Sequence, residues 1–200
     1  PVRNQSIRII NIDDCSVFST LAFNYTMRDE EIQNILTNTT LEISVMIYNS
    51  DRQNQFLNFS RTYTQINPAR VCLNLLLNTT SFSVDSVAKY SRADYETEYY
   101  NIQDFNISGS AIPQNIGLFD LNSSDSTIFK ITFKDDNFVP VENALIYIDR
   151  QYVAENNTFK TVELPKTDSN GQTVGHFVRN EIVYNIRVIK NNQVLGNFNN

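Results

Sequence analysis

Every second residue is aliphatic in Leu41-Glu-Ile-Ser-Val-Met-Ile-Tyr48, the stretch that decides the fold class. Successive side chains of a β-strand point to opposite faces of the sheet, so this spacing predicts a strand with one buried face. The same two-residue period recurs along most of the chain, and the three-to-four-residue spacing of an amphipathic helix is nearly absent. We therefore predict an all-β protein.

Further strands are predicted on both sides of this stretch, separated by turns rich in Asn, Asp and Ser, which is typical of a β-sandwich. In the first part of the chain they are Ser6–Ile12, Val17–Met27, Leu41–Tyr48, Gln55–Thr64, Arg70–Leu77, Ser81–Tyr90, Glu96–Ile107 and Asn115–Leu121. In the last part they are Thr127–Phe133, Ala144–Arg150, Phe159–Leu164, Gln172–Val178, Ile182–Lys190 and Val194–Phe198. One helical turn is predicted over residues 28–36, with Asp29 as its cap and Ile32, Ile35 and Leu36 facing inward.

A polar, turn-rich segment, Leu121–Thr127, separates the two groups of strands. We therefore predict two tandem β-sandwich domains, residues 1–125 and residues 126–200, with the boundary near Asp125. In the second domain, Asp168–Gly171 predicts a hairpin connection, because Asn170 and Gly171 tolerate the positive φ that short turns require.

The last third of the chain, Val139–Gly196, carries the pattern of a known module. It contains a P-x-x-x-A loop, an amphipathic strand, a TDSNG turn and a closing Y-x-hydrophobic-x-hydrophobic strand, at Pro140 and Ala144, Leu145–Ile148, Thr167–Gly171 and Tyr184–Val188. This segment resembles the carboxypeptidase regulatory-like and transthyretin-like modules of large surface proteins from uncultured microbes or viruses. The resemblance implies a small prealbumin-like or Ig-like sandwich with a spacer, adhesion or assembly role outside the cell, and it implies no catalytic residue.

Composition excludes one class of partner. Charged residues make up 19% of the chain, the net charge is −6, and polarity comes instead from 27 Asn, 16 Ser and 16 Thr. No cluster of Lys and Arg is present, so we expect no nucleic-acid partner. The longest apolar stretch, Val71–Leu77, is far shorter than the ~20 residues of a membrane span, so we expect none in this segment. Because the sequence starts at Pro1 without Met, we expect a processed product or a piece of a longer polypeptide.

Two features indicate an oxidising exterior. Eight Asn-x-Ser/Thr acceptor triplets occur where random order would give about four, so the excess favours a secreted glycoprotein over accident in an Asn-rich chain. They begin at Asn4, Asn24, Asn38, Asn58, Asn78, Asn106, Asn122 and Asn156. The two cysteines, Cys15 and Cys72, predict one disulfide, the alternative being two buried free thiols.

The residues needed for common catalytic sites are missing. His176 is the chain's one histidine, and strand alternation places it beside Val174 and Val178, as a satisfied, half-buried ring. No zinc site with the usual nitrogen and sulfur ligands is predicted, and no G-x-S-x-G motif is present. We therefore expect a protein that is not an enzyme and holds no cofactor or metal.

Three acidic clusters leave alternatives open. Asp13-Asp14, Asp29-Glu30-Glu31 and Asp135-Asp136 are interpreted as solvated turn residues, although carboxylates from separate loops could pair in a hydrolase. The stretch Asp120–Asp125 begins like a calcium loop, with oxygen ligands at alternate positions, but it lacks the glycine and the closing glutamate of that motif. Calcium binding there remains an alternative.

A tyrosine-rich segment is the candidate binding surface. Tyr90, Tyr95, Tyr99 and Tyr100 either pack in the core, one of them as a tyrosine corner, or form a surface for a glycan or a neighbouring subunit. Together these patterns predict a structural or adhesive β module of a surface protein, filament or virion, which assembles with copies of itself or with neighbouring domains. The alternative is a carbohydrate- or calcium-binding accessory module of an adhesin or enzyme. One assembly hypothesis is that Ser6–Ile12 pairs with a neighbouring subunit by strand addition.

Overall fold

The computed structural model describes residues 10–74, 77, 81–179 and 182–199. Its strands are β1 Ile12–Asp13, β2 Thr20–Asp29, β3 Thr39–Tyr48, β4 Gln55–Thr64, β5 Ala69–Leu73, β6 Phe82–Arg92, β7 Glu98–Ile107, β8 Gln114–Asp120, β9 Ser126–Thr132, β10 Leu145–Tyr152, β11 Thr158–Glu163, β12 Gln172–Val178, β13 Tyr184–Lys190 and β14 Gln193–Phe198. A short 3₁₀ turn at Val153–Glu155 is the one helical element among these residues. The prediction of an all-β, sandwich-like fold is confirmed.

Strands β1 to β8, which we call the N-terminal region, form two four-stranded sheets. Their strand orders are β1-β5-β2-β8 and β4-β3-β6-β7, and all neighbours are antiparallel except β2 and β8, which run parallel. The two-residue alternation of Leu41–Tyr48 is realised in β3, whose buried apolar side chains are Leu41, Ile43, Val45 and Ile47. They pack in one core with apolar side chains from β2, β5, β6 and β8. The two apolar faces therefore enclose the core of a sandwich.

Strands β9 to β14, the C-terminal region, form a four-stranded sheet, β11-β10-β13-β14, and a two-stranded sheet, β9-β12. Every pairing within these two sheets is antiparallel. Ile146, Ile148 and Val162 are fully buried in the larger sheet, and Ile131 and Phe177 of the smaller sheet pack against the same core. The C-terminal core is much the smaller of the two, because one of its covering sheets has only two strands.

The turn at Asp168–Gly171 forms, but it does not join a hairpin. Asp168 accepts the N–H groups of Asn170 and Gln172 through its side chain, and Gly171 adopts a φ of 68°. A side chain at Gly171 would come within 2.4 Å of the Phe133 carbonyl oxygen, so glycine is required there. The hairpin prediction was wrong because β11 pairs with β10 and β12 pairs with β9. Turn chemistry is local, whereas strand pairing is decided by the sheets on either side.

The predicted helical turn over residues 28–36 is also wrong. Asp29 does act as a cap, because its Oδ1 accepts the N–H groups of Glu31 and Ile32, both at 2.8 Å. The chain then reverses at once, and Leu36 donates its N–H to Met27. Leu36 is buried as expected, but Ile32 is 65% exposed and Ile35 is 55% exposed. Three apolar residues in a nine-residue stretch are too few to hold so short a helix against the sheet.

The start of the chain is only partly within the described residues. Ile12 pairs with Leu73 of the same chain, while residues 6–9 lie outside, so strand addition by Ser6–Ile12 stays a prediction. The next strand begins at Thr20, later than the predicted Val17. The side chain of Asp13 accepts the N–H groups of Val17 and Phe18, which holds this stretch in a loop and leaves Val17 80% exposed.

A turn in which Asp125 donates its N–H to Asn122 connects the N-terminal and C-terminal regions. The predicted boundary near Asp125 lies in this turn, and each of the paired strands described above has its partners within its own region. That residues 1–125 and 126–200 are separate domains stays a prediction.

Candidate functional site

Buried ionisable side chains converge where the two regions meet, a contact that we call the junction. Four carboxylates and one imidazole there are at most 6% exposed: Glu30, Glu98, Asp120, Glu163 and His176. Four of the five lie at strand ends, directly after β2, at the first residue of β7 and at the last residues of β8 and β11. Charged groups are rarely buried so completely unless they are paired or bind an ion, so this cluster is the candidate site.

The backbones of the two regions are hydrogen-bonded to each other at the junction. Leu164, just after β11, donates its N–H to the Tyr99 carbonyl at 2.9 Å and accepts the Asn101 N–H at 3.0 Å. The side chain of Asn101 donates a second bond to the same Leu164 oxygen at 2.8 Å. Leu164 is therefore hydrogen-bonded to the edge of β7 through its backbone, in the way that neighbouring strands of a sheet are bonded to each other.

Glu30 anchors one side of the junction. Its Oε1 accepts hydrogen bonds from Arg150 Nη1 at 2.9 Å and from the Tyr184 hydroxyl at 3.0 Å. The hydroxyl of Tyr152 donates to the Glu30 backbone oxygen at 2.7 Å. Burial raises the pKa of Glu30 to about 7, against the opposing effect of Arg150. Three side chains of the C-terminal region thus bind one residue of the N-terminal region.

His176 is held by Glu163. Its Nδ1 lies 3.2 Å from Glu163 Oε1, and its backbone N–H donates to Oε2 at 2.9 Å. Its Nε2 lies 3.8 Å from Glu96 Oε2, beyond hydrogen-bonding distance. Burial lowers the pKa of His176, but the hydrogen bond to Glu163 and the charges of Glu163 and Glu96 outweigh it, so the pKa is raised. Burial also raises the pKa of Glu163, which His176 only partly offsets.

Glu98 and Tyr90 share a fully buried contact. The Tyr90 hydroxyl lies 3.1 Å from Glu98 Oε2, 3.1 Å from the Phe119 carbonyl and 3.0 Å from the Val162 carbonyl. A hydroxyl has one proton, so Tyr90 donates to one of these three acceptors at a time. Burial and the charges of Glu163 and Glu30 raise the pKa of Glu98 well above its ordinary value. A protonated Glu98 donates to the Tyr90 oxygen and leaves the Tyr90 proton for a carbonyl.

Two carboxylates at the junction have oxygens without partners. Neither Oδ1 nor Oδ2 of Asp120 has a hydrogen-bond partner within the described parts of the chain, and Glu98 Oε1 has none there either. Burial, followed by the charges of Glu30 and Glu96, raises the pKa of Asp120 to about 9. Asp120 is therefore protonated at neutral pH, because a buried carboxylate without a partner is costly in its charged form.

Glu98, Glu163 and His176 each offer one ligand atom, and these three atoms all lie within 4.8 Å of one another. Among the described residues this is the one group of three or more acidic, histidine or cysteine side chains that converges so closely. Glu98 comes from the N-terminal region and the other two from the C-terminal region. The group is therefore the part of the junction that could hold an ion.

The cysteine prediction is confirmed and the acceptor asparagines divide into two groups. Cys15 and Cys72 form a disulfide between two positions that are 57 residues apart in the sequence. Four acceptor residues are exposed, namely Asn38, Asn58, Asn106 and Asn156. Asn24 and Asn122 are half-buried, with Asn24 Nδ2 donating to Asn115 and Asn122 Oδ1 accepting from Ser124. Asn4 and Asn78 lie outside the described residues.

The predicted tyrosine surface does not form as one patch. Tyr90 is fully buried, whereas Tyr99 is 40% exposed. Tyr99 and Tyr100 are neighbours on β7 and face opposite ways, and Tyr100 is half-buried. Tyr95 lies between β6 and β7, with its hydroxyl donating to Asp29 at 2.6 Å. Strand alternation separates the four rings, so the surface hypothesis needs correction: of the four, only Tyr99 is an exposed ring.

The acidic clusters were interpreted as solvated turn residues, and this is correct for only some of their members. Glu31 is exposed as expected for a turn, but its neighbour Glu30 is buried in the junction, so that part of the interpretation was wrong. The calcium loop is not assembled either. Asn122 Oδ1 already accepts two hydrogen bonds from Ser124, and the Asp120 side chain is fully buried rather than turned toward that loop.

Sequence reasoning missed the junction because its members are spread over more than 140 residues. The signal available was an acidic residue at the end of an apolar strand, as in Phe119-Asp120 and Val162-Glu163. A strand end is also where solvated turn residues stand, so the pattern alone does not separate the two cases. His176 was interpreted as a satisfied ring, which fits its hydrogen bond to Glu163, but its carboxylate neighbours were not foreseen.

Comparison with protein-family models gives no match for this chain, and comparison with curated proteins gives none either. Within the described ranges, no helix is long and apolar enough to cross a membrane. The resemblance to carboxypeptidase regulatory-like modules stays a prediction.

Proposed function

We propose that this chain is a non-enzymatic structural module of an extracellular assembly, in which two β regions are held together as one stiff unit. The observation that carries the proposal is the continuous hydrogen bonding across the junction, at Leu164 with Tyr99 and Asn101. A flexible linker between two β regions would let them rotate, whereas this edge contact fixes their relative position. A spacer or filament subunit requires that property.

The extracellular setting is supported by two observations. The disulfide Cys15–Cys72 ties the loop after β1 to β5, and such bonds persist in oxidising compartments. The four exposed acceptor asparagines are accessible to a glycosylating enzyme. Secretion from eukaryotic cells, followed by intact-mass measurement before and after deglycosylation, should find glycans on Asn38, Asn58, Asn106 or Asn156. A mass equal to that of the bare polypeptide would contradict the glycoprotein part of the proposal.

The state of the candidate nucleophiles and bases supports a role without catalysis. Both cysteines are bonded to each other, and the imidazole of His176 is paired with Glu163 inside the junction. A nucleophile needs a base within hydrogen-bonding reach, and the hydrogen bonds of His176 lead only to a carboxylate.

Exposed apolar side chains of the small sheet support assembly with neighbours. Ile128 is 60% exposed on β9 and Val174 is 44% exposed on β12, and the strand register places both on the same face of the small sheet. Neighbouring apolar side chains that are exposed together are uncommon on monomeric proteins, and they often mark a site of contact with another protein. We propose that copies of this chain or adjoining domains of the same assembly cover this sheet.

Mechanical unfolding of the full chain, pulled from its two ends, tests the structural role. We expect the N-terminal and C-terminal regions to give way in one cooperative event, because the junction transmits load between them. The variant Asn101→Ala removes one bond to Leu164 and should lower the rupture force, whereas Asn197→Ala, on an exposed residue of β14, should not. Two separate unfolding events in the unaltered protein would overturn the proposal.

The alternative, a carbohydrate- or calcium-binding accessory module, is tested on the same protein. A glycan array read with and without calcium should show no binding if the chain is a spacer. Binding that is lost in Tyr99→Ala would favour the alternative, because Tyr99 is the exposed ring of the tyrosine segment.

A further inference from the structure

We propose that Glu98, Glu163 and His176 form a buried site for a divalent transition metal ion, for which Zn²⁺ is the closest match. A metal site here goes beyond the structural role proposed above, and whether the metal binds does not depend on that role. Two carboxylates and one imidazole from both regions meet here, and a common ion would join β7 directly to β11 and β12.

The distances suit a shared ion. Zinc binds carboxylate oxygen and imidazole nitrogen at about 2.0 to 2.2 Å in a tetrahedral arrangement, so two ligand atoms of one ion stand roughly 3.5 Å apart. The three ligand atoms already lie within 4.8 Å of one another. His176 Nδ1 and Glu163 Oε1 are already 3.2 Å apart, so a side-chain rotation that moves a carboxylate oxygen by about 1 Å would bring the three onto one centre.

The buried charge also suits a cation. Glu30 has Arg150 as its partner, but Glu98 Oε1 has no partner in the described chain although Glu98 is completely buried. Buried carboxylates are normally paired or coordinate a metal. The Glu98 Oε1 atom is therefore available as a metal ligand. Asp120, also fully buried and with both oxygens unpartnered in the described chain, adds further polar atoms without partners to the same junction.

The ligand set selects among ions. An imidazole disfavours Ca²⁺ and Mg²⁺, which take oxygen ligands, and suits Zn²⁺ and its neighbours in the first transition row. Both cysteines are in the disulfide, so a thiolate site is excluded. With Nδ1 of His176 on the ion, its Nε2 faces the Glu96 carboxylate, whose Oε2 is 3.8 Å away, and metal-binding histidines commonly have such a partner for the second ring nitrogen. Three protein ligands leave the fourth position of a tetrahedral ion to water, and the burial of all three side chains separates that position from bulk solvent.

The first experiment titrates Zn²⁺ into the full chain after removal of metal with a chelator. We expect one ion per chain and a rise in Tm of about 5 to 10 °C at a hundredfold excess over Kd. Glu98→Gln, which keeps the size of the side chain and its contact with Tyr90, should weaken binding at least tenfold. Glu142→Gln, at an exposed residue, is the matched control and should bind like the unaltered protein. Equal binding by Glu98→Gln and the unaltered protein would overturn the site.

The second experiment needs no variant. His176 is the chain's sole histidine, so its two ring nitrogens give unambiguous ¹⁵N signals in NMR. Added Zn²⁺ should shift one ring nitrogen strongly and in proportion to the bound fraction, while Ca²⁺ should leave both unchanged. If Zn²⁺ binds with both His176 signals unmoved, the ion sits on surface carboxylates and the proposal is wrong. Separate rupture of the two regions under load would refute the structural role and leave this result intact.

Discussion

The N-terminal core and the junction are buried to the same degree, but they are built from opposite kinds of side chain. In the core, Phe23, Val45 and Leu118 are fully buried apolar residues, and the polar atom of Tyr25 is satisfied by one bond to Ser86 at 2.8 Å. In the junction, Glu98 and Asp120 are as fully buried and keep oxygens without partners. The core therefore has one stable arrangement, whereas the state of the junction depends on protons and on any ion that binds there.

The difference shows which positions of a β protein are free to carry chemistry. Alternate side chains along the middle of β3 must be apolar, because they fill the core. Residues at strand ends, such as Glu98 and Glu163, are released from that requirement and meet residues of the other region.

Loss of the disulfide should weaken the N-terminal region most. The double variant Cys15→Ala/Cys72→Ala frees the enclosed loop in the unfolded state, and we expect unfolding to become easier by about 4 kcal/mol. Urea unfolding followed by fluorescence of the tyrosines measures this change, and the reduced unaltered protein is the control. Equal midpoints for the oxidised and reduced proteins would show that the bond contributes nothing.

A truncation in the core should cost slightly less. Leu118 lies fully buried on β8, and Leu118→Ala leaves a cavity that should lower the free energy of unfolding by about 3 kcal/mol. The matched control is Leu195→Ala, at a residue that is 44% exposed, where we expect a change below about 0.5 kcal/mol. Similar losses for the two variants would mean that the N-terminal core is not close-packed.

The junction should respond to pH in the direction opposite to most acidic proteins. Glu30, with its pKa raised to about 7, keeps its proton in the folded state after the unfolded chain has lost it near 4.5. Its contribution to stability is complete below that value and disappears as the pH rises to about 7, and Asp120 extends the loss to about 9. In metal-free buffer we expect Glu30 alone to lower the free energy of unfolding by about 3 kcal/mol between pH 5 and pH 8, and Asp120 to add to that fall.

Chemical denaturation at a series of pH values checks this fall. His176, whose pKa is also raised, acts in the same direction. Asp120→Asn removes one titrating group and should flatten the curve above pH 7, whereas Asp136→Asn, at an exposed residue, should leave it unchanged. Stability that increases from pH 5 to pH 8 would contradict this description of the junction.

Two hydroxyl deletions give the smallest and most closely matched comparison. Tyr25→Phe removes one bond to Ser86 in the core and should cost about 1 kcal/mol. Tyr90→Phe removes the contact of one hydroxyl with Glu98, Phe119 and Val162, and it leaves buried acceptors unpaired, so we expect about 2 kcal/mol. Thermal unfolding of the two variants side by side measures the difference. An equal or reversed order would mean that Tyr90 is not a link across the junction.

Much of the fold follows from sequence periodicity. The strands Gln55–Thr64 and Gln172–Val178 were predicted with their observed bounds, because their side-chain alternation is clean and their turns are polar. The prediction Leu41–Tyr48 has the observed end but begins two residues after the observed start at Thr39. The disulfide followed from the number of cysteines. Which strands pair was not predictable, since β12 joins β9 across 40 residues and no local pattern records it.

The candidate site was not predictable for a related reason. Glu30 and Arg150 form their ion pair across 120 positions of sequence, and neither lies in a motif. The carboxylates resembled turn residues because a strand end in contact with another region and a strand end in water have the same local sequence. Only the packing of the two regions against each other removes Glu98 and Asp120 from solvent.

Amide hydrogen exchange at the junction tests the central claim, that the two regions form one unit, most directly. The N–H groups of Leu164 and Asn101 donate across the junction, to Tyr99 and Leu164 respectively. We predict that both exchange as slowly as the amides of β3 in the N-terminal core, because opening either bond requires the regions to separate. Fast exchange of these two amides, with β3 still protected, would show a hinge at the junction and would contradict the account.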